Sequence, residues 1–156
     1  MERILNYLNN FFYRWGEKGA FTIANNKLNV EHELMGGQYI KINGSVLNDG
    51  VHKVLSYHDG IATLEGLENE EFEGLVLSLA VPRTLNSLPK KIDEFELKNP
   101  VTALASESFG NYSYSNATNE SGGRVSWQDV FASDLKLYRK MNDNLKHVRI
   151  FDKVVK

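Results

Sequence analysis

Apolar positions change their spacing along this chain, and each change predicts a different kind of element. Ile4, Leu5, Leu8 and Phe11 or Phe12 recur at the interval of one helix face, which predicts a short amphipathic helix over residues 2–12. Gly16 and Gly19 are expected to end it. From Ala20 the interval drops to two. Phe21 and Ile23, an Asn25-Asn26 pair suited to a tight turn, and then Leu28 and Val30 make the pattern of a hairpin. Gly36-Gly37 leads into Gln38–Ile42, and Asn48-Asp49-Gly50 supplies left-handed turn chemistry before Val51–Leu55. His58-Asp59-Gly60 repeats the device before Ile61–Leu64. Short strands separated by glycine-bearing turns predict a small antiparallel sheet or barrel over about residues 20–81.

Residues 72–81 fit two templates. Phe72, Leu75, Val76 and Leu79 would line a helix face, whereas Leu75, Leu77, Leu79 and Val81 alternate as in a strand. Gly74 and the short run before Pro82 favour the strand. Pro82 suits the first turn of a helix over 82–98, whose stripe is Leu85, Leu88, Ile92 and Phe95; Pro89 interrupts that stripe and is expected to kink it. Asn99-Pro100 is the exit. Ser126 and Asp129 form a capping pattern ahead of Trp127, Val130, Phe131, Leu135 and Tyr138, which predicts a last helix over 127–140. The fold class is therefore α+β. We read one domain over residues 1–141 with an extended segment at 105–123, followed by a docking tail at 142–156. No internal repeat of solenoid length is present.

A chain of 156 residues, 42% hydrophobic and 24% charged, is able to bury a real core and has the balance of a globular protein rather than a disordered one. A formal net charge of -2 removes the simplest electrostatic case for nucleic-acid binding. With no cysteine, disulfides, thiolate catalysis and cysteine-based zinc sites are ruled out, which fits folding in a reducing cytoplasm. The opening Met1–Leu8 is interrupted by polar residues and lacks the apolar stretch and cleavage site of a secretory leader, and no window approaches a membrane span.

Candidate chemistry is sparse. Of four histidines, only His52 and His58 are close; with Asp59 they form the one set that a small metal-dependent hydrolase or nuclease would use. Their spacing matches no zinc signature, and both flank turns where exposed polar residues are usual. The carboxylates between Glu65 and Glu73 read as a solvated loop rather than paired acid and base. There is no Gly-x-Ser-x-Gly elbow and no P-loop, and Gly122-Gly123-Arg124 reads as a lead-in to a capped helix before a phosphate site. Asn-x-Ser/Thr triplets at Asn43, Asn111, Asn116 and Asn119 would matter only in a secreted protein. We expect no catalytic residue, cofactor or metal.

What remains is material for assembly. Glu107–Ser115 spaces Phe109, Tyr112 and Tyr114 among small polar residues; with Arg124 the tyrosines could stack single-stranded nucleic acid, but an extended arm that adds to a neighbour's sheet is the simpler reading. Val148, Ile150, Phe151, Val154 and Val155 permit the same use of the tail, as an edge strand or docking peptide, with fraying as the bland alternative.

Gly37–Val51, Glu71–Gly74 with Leu79–Pro82, Glu107–Tyr114 and Ser126–Phe131 follow one another in an order that resembles a family of small structural proteins from tailed phages and prophages of Gram-positive bacteria. The resemblance spans about residues 10–140; Pro89 departs from its pattern. It implies a head-tail connector part: an adaptor that forms a ring, a dodecamer matched to a portal, and meets the portal protein on one face and a neck or tail-completion protein on the other. Genomic DNA would only pass through the channel. The implied location is the virion neck, after assembly in the host cytoplasm, with no membrane. Contacts are expected from Phe109, Tyr112, Tyr114, Val148, Ile150 and Phe151, and Arg14, Lys18, Lys90, Lys91, Arg139 and Lys140 are candidates for local positive patches near the channel. Alternatives are a neck or tail-completion protein of the same particle, the metal-dependent hydrolase or nuclease above, and a monomeric module binding a ligand on its β face.

Overall fold

The computed structural model describes residues 1–99, 106–109, 112–115, 125–141 and 145–153. The chain forms two compact units, Met1–Pro82 with Lys140–Lys156, and Arg83–Arg139. The first carries helix α1 (Glu2–Leu8) and strands β1 (Tyr13–Ala24), β2 (Lys27–Asn29), β3 (Tyr39–Asn43), β4 (Gly50–His58), β5 (Ile61–Leu64) and β6 (Glu70–Leu79). These strands lie in the order β2-β5-β4-β3-β6-β1, and β1 pairs back onto β2 through Ile23 with Leu28 and Ala24 with Lys27. The result is a closed six-stranded antiparallel barrel, with one further strand beside β1 and a few helices: the small α+β barrel that the spacing of turns predicts.

The barrel follows from alternation. Phe21, Ile23, Leu28, Val30, Ile40, Ile42, Val54, Ala62, Leu64, Phe72 and Val76 face one another in a single buried cluster. The tight turns form where the asparagine, aspartate and glycine pairs stand. Asn25 and Asn26 both take positive φ, 52° and 62°, and Asp59 and Gly60 repeat this at 49° and 80°, the left-handed pair that matches strand twist.

The ambiguous run before Pro82 is the strand β6, and its unbroken apolar stretch has a physical cause. Val76 faces the barrel interior, while Leu77 and Leu79 are buried in a second cluster with Leu5 of α1 and Phe11. A strand covered on both faces loses the polar alternation that would distinguish it from a helix.

Several boundaries differ from the expectation. Helix α1 stops at Leu8 rather than residue 12, because Asn9 adopts a left-handed conformation (φ 49°, ψ 38°) as its cap. Gly16 and Gly19 do not end the helix; both lie inside β1, which begins at Tyr13. In the second unit the stretch 82–98 is not one helix. A single 3-10 turn, Arg83–Leu85, precedes helix α2 (Leu88–Lys98), and Pro89 sits in the first turn of α2, where its missing N–H costs nothing. Proline therefore opens this helix instead of kinking it. The expected helix over 127–140 divides into α3 (Trp127–Val130), α4 (Ala132–Leu135) and a 3-10 turn at Lys136–Tyr138. Its capping box is present: Ser126 Oγ accepts from the Asp129 backbone N–H, and Asp129 accepts from the Ser126 N–H. The Ser126 hydroxyl, which also donates to Asp129 Oδ2 at 2.6 Å, and then the Ser126 N–H hold the Asp129 carboxyl below its usual range.

Within the predicted extended segment, strands β7 (Ser106–Phe109) and β8 (Tyr112–Ser115) pair with each other as a hairpin, Phe109 opposite Tyr112 and Glu107 opposite Tyr114. The side chains of Phe109, Tyr112 and Tyr114, with residues 116–124 and Val154 and Val155, lie outside the described residues.

Gly74 offers a local test of the barrel's packing. A Cβ there would lie 2.3 Å from the Asn43 carbonyl oxygen of β3, against backbone that cannot swing aside. We expect Gly74→Ala to lower stability by about 1–3 kcal/mol, read from urea unfolding midpoints; an unchanged midpoint would contradict this contact.

Candidate interaction surface

The barrel is closed on β1 by only a short strand. β6 flanks β1 from Tyr13 to Ile23, but β2 meets it only at Ile23 and Ala24. The other edge of β1 is filled at residues 15–18 by β9 (Arg149–Asp152), which runs parallel with Trp15 opposite Arg149, Gly16 opposite Ile150, Glu17 opposite Phe151 and Lys18 opposite Asp152. The Lys153 N–H continues the ladder to the Lys18 carbonyl at 2.7 Å. The tail therefore belongs with the barrel. Val148 and Leu145 pack on the cluster under α1, and the turn Leu145–His147 delivers β9 to its groove.

The groove is shaped by β1 and by the loop after β2. A Cβ on Gly19 (φ 154°) would lie 2.7 Å from Lys153 Cβ, and one on Gly16 would lie 2.8 Å from Leu77 Cδ2 and 3.5 Å from Ile150 Cγ1. Glu17 is wholly buried, and its carboxylate accepts from the Glu31 N–H at 3.0 Å, the His32 N–H at 3.2 Å and His32 Nδ1 at 3.3 Å. It thereby ties the loop to the strand across the seam. His32 then serves as a shelf: its ring lies 5.1 Å from Trp15, and Phe151 stacks on it at 4.1 Å. Lys153 Nζ donates to the Asn29 carbonyl at 2.9 Å and sits 4.3 Å over the Phe21 ring. Burial lowers the pKa of this ammonium, while the Glu17 and Glu31 carboxylates act in the opposite sense. The Tyr57 hydroxyl is within 3.2 Å of the Val30 carbonyl and 3.3 Å of Glu31's; burial first, then neighbouring Glu17, raises its pKa and keeps it a donor.

Among the described residues no strand pairs with the outer side of β9, and Ile150 and Phe151 remain 44% and 38% exposed. Of the residues expected to make contacts, the structure thus brings Ile150 and Phe151 to one exposed edge, while Val148 is partly buried beneath them.

A second exposed apolar feature was not singled out from the sequence. The loop between β3 and β4 holds Val46 and Leu47 at 89% and 57% exposure. Its backbone is fixed. The Glu70 carboxylate accepts from the Ser45 hydroxyl, from the Val46 N–H at 2.8 Å, the Leu47 N–H at 3.2 Å and Asn48 Nδ2 at 2.9 Å. Asn48, buried, also pairs with the backbone of Glu68. The signal in the sequence is an apolar pair inside the turn-rich run Gly44–Gly50, where solubility alone would favour polar residues.

His52 Nε2 is 2.9 Å from the Asn48 carbonyl, Asp59 occupies a turn, and among the described residues no three His, Asp or Glu side chains converge as metal ligands. In the second unit a cleft of about 370 Å³ is lined by Leu85, Leu88, Lys91, Asp134, Leu137 and Tyr138, with Thr84 Oγ1 2.8 Å from Tyr138 Oη. No described helix is long and apolar enough to cross a membrane. No protein-family model matches the chain, and neither a curated protein nor a solved structure does.

Two predictions follow from the carboxylates. Hydrogen bonds, that from Ser45 foremost, hold the Glu70 carboxyl below its ordinary pKa. Its contribution is therefore present above the unfolded carboxyl's pKa and lost as pH falls through the lowered folded value. The protection of the Val46 and Leu47 amides, taken relative to the intrinsic exchange rate at each pH, should fall on acidification through that window, and Glu70→Gln should remove this change in protection. Glu17→Ala leaves the Glu31 and His32 N–H groups without their acceptor, so we expect a loss of about 2 kcal/mol or more in urea unfolding; a near-neutral result would show that water replaces the carboxylate.

Proposed function

We propose that this chain is a non-enzymatic part of a tailed-phage or prophage particle, a head-tail adaptor that assembles into a ring between the portal and the neck or tail. The observation that carries the reading is the edge of β9: a strand with an open hydrogen-bonding side and two half-exposed apolar residues, set on an otherwise closed barrel. Closure of a barrel removes edges, and a remaining exposed edge invites a strand from another chain. The order of motifs that resembles small connector proteins supports the same role.

A ring that closes by rotation needs two different patches on each subunit. The β9 edge and the Val46-Leu47 tip are two such patches, and the tip is held rigid before any partner arrives, which lowers the ordering cost of binding. Affinity would then come from weak contacts repeated around the ring. Partners in this reading are further copies, the portal protein and a neck or tail-completion protein, with DNA only passing through; the location is the virion neck.

The test is the mass of the purified protein, alone and mixed with a portal, by native mass spectrometry. A closed oligomer, or a monomer joining the portal ring stoichiometrically, supports the adaptor; a monomer indifferent to portal overturns it and moves the chain to another layer of the particle or to ligand binding. Substituting aspartate for both Val46 and Leu47, which stand exposed at the tip, should weaken assembly by at least about tenfold, which is about 1.4 kcal/mol, with little change in circular dichroism. Deleting 142–156 is a poorer probe, because Leu145 and Val148 pack on the cluster under α1.

A further inference from the structure

Charges of opposite sign gather at opposite ends of the barrel. Where β1 closes on β2, Asn48 and Glu68 join the loops 44–49 and 65–69. Asn26 ties the turn after β1 to them, its carbonyl accepting from the Leu64 N–H at 2.9 Å and its Oδ1 from the Leu67 N–H at 2.8 Å. This end carries Val46 and Leu47, and Asp49, Glu65 and Glu68 stand exposed in the same two loops. Residues 42–52 and 54–82 contain no lysine or arginine, so neither loop supplies a cation to balance them. Lys27, first in β2, follows the third turn. On the outer face, where β1 begins, the signs reverse. Tyr13 and Tyr39, both half-buried, stand on either side of Leu79. Lys53 is opposite Tyr39, and Arg14 occupies the bulge between Tyr13 and Trp15; both cations are exposed. Lys41 Nζ lies 4.0 Å over the Phe11 ring, which stacks on Tyr13. Glu2 lies farther along this face, its carboxylate beside Gly50.

An apolar pair with an acidic rim complements an aromatic pair with a basic rim: the centres bury apolar surface while opposite charges meet around them. The same carboxylates repel the phosphates of nucleic acid or of an anionic membrane. β6 runs from one end to the other, Glu70 to Leu79, about 30 Å at the rise of a strand. A chain's own tip therefore cannot fold onto its own flank. We propose that the Val46-Leu47 tip of one copy docks on the Tyr13-Tyr39 flank of a second copy, with Asp49, Glu65 and Glu68 facing Arg14 and Lys53, while each copy keeps its own β9 beside its own β1. The contact is heterologous, so each subunit meets one neighbour through its tip and another through its flank. It rests on the use of the tip proposed above and names the surface that receives it, yet it requires only a second copy and no portal.

Charge reversal tests the docking on the full-length protein, by sedimentation velocity over a range of concentration and salt. Wild type should associate, and more weakly as salt screens the rims. One variant carries Glu65→Lys with Glu68→Lys, the other Arg14→Glu with Lys53→Glu; all four positions are exposed, and circular dichroism checks that both fold. The first then has two basic surfaces and the second two acidic ones, so each alone should associate at least several-fold more weakly than wild type. Mixed, every tip finds a flank of opposite sign, and association should return. A structural effect of either substitution would not be restored by mixing. Wild type that stays monomeric at every concentration overturns the docking, and so does a mixture no better than its parts. If that monomer binds portal and loses the binding with Val46→Asp and Leu47→Asp, the tip serves a different protein. A closed oligomer indifferent to both reversals overturns this docking and leaves the ring; association restored by mixing but without portal binding leaves the docking and removes the adaptor.

Discussion

A backbone amide at the seam of a barrel has to pair with something, and the long strand β1 has more of them than its closing neighbour satisfies. β2 reaches only Ile23 and Ala24, so residues 15–18 need another partner on that side. The chain meets this need and organises the neighbouring loop as well. It brings residues 149–152 back as a parallel strand, and it buries the Glu17 carboxylate against the backbone of Glu31 and His32, which draws the loop after β2 to the same place. A buried carboxylate is tolerable because its oxygens are met by N–H donors. The same contacts orient His32 for Phe151, so the solution to a backbone problem also makes a binding groove.

Burial on both faces of β6 is the second consequence. Once α1 and the segment Phe11–Tyr13 cover Leu77 and Leu79 from outside, the tail residues Leu145 and Val148 have an apolar surface to join. The tail is thus held by packing before β9 begins. Exposed apolar side chains on β9 and on the Val46-Leu47 tip lie away from this cluster. Glu70 spends four hydrogen-bond contacts on fixing that tip. A rigid apolar tip is costly in water and has its use in contact with a partner.

Much of the barrel was legible in the sequence, and particular residues show why. Asn25-Asn26 and Asp59-Gly60 are read correctly as tight turns because left-handed backbone is a local property of those residue types. Ser126 and Asp129 mark a helix start for the same reason. Gly16 and Gly19 mislead: they look like helix stops, but a Cβ on Gly16 would run into Leu77 and one on Gly19 into Lys153, residues far away in the chain. Pro89 misleads because a proline inside an apolar stripe looks disruptive until the helix is seen to begin at Leu88.

The candidate surface divides in the same way. The sequence by itself determined the period of the strands, the positions of their turns, the absence of cysteine chemistry, and that Ile150 and Phe151 stand in a short apolar run with no helix cap. These are matters of local sterics and residue type. Only the tertiary structure decided that this run lies parallel to β1, that Glu17 is buried and met by N–H donors, and that Val46 and Leu47 are held outward by Glu70. Those outcomes depend on which backbone groups the closing barrel leaves unpaired, a long-range condition that no local pattern of residues encodes.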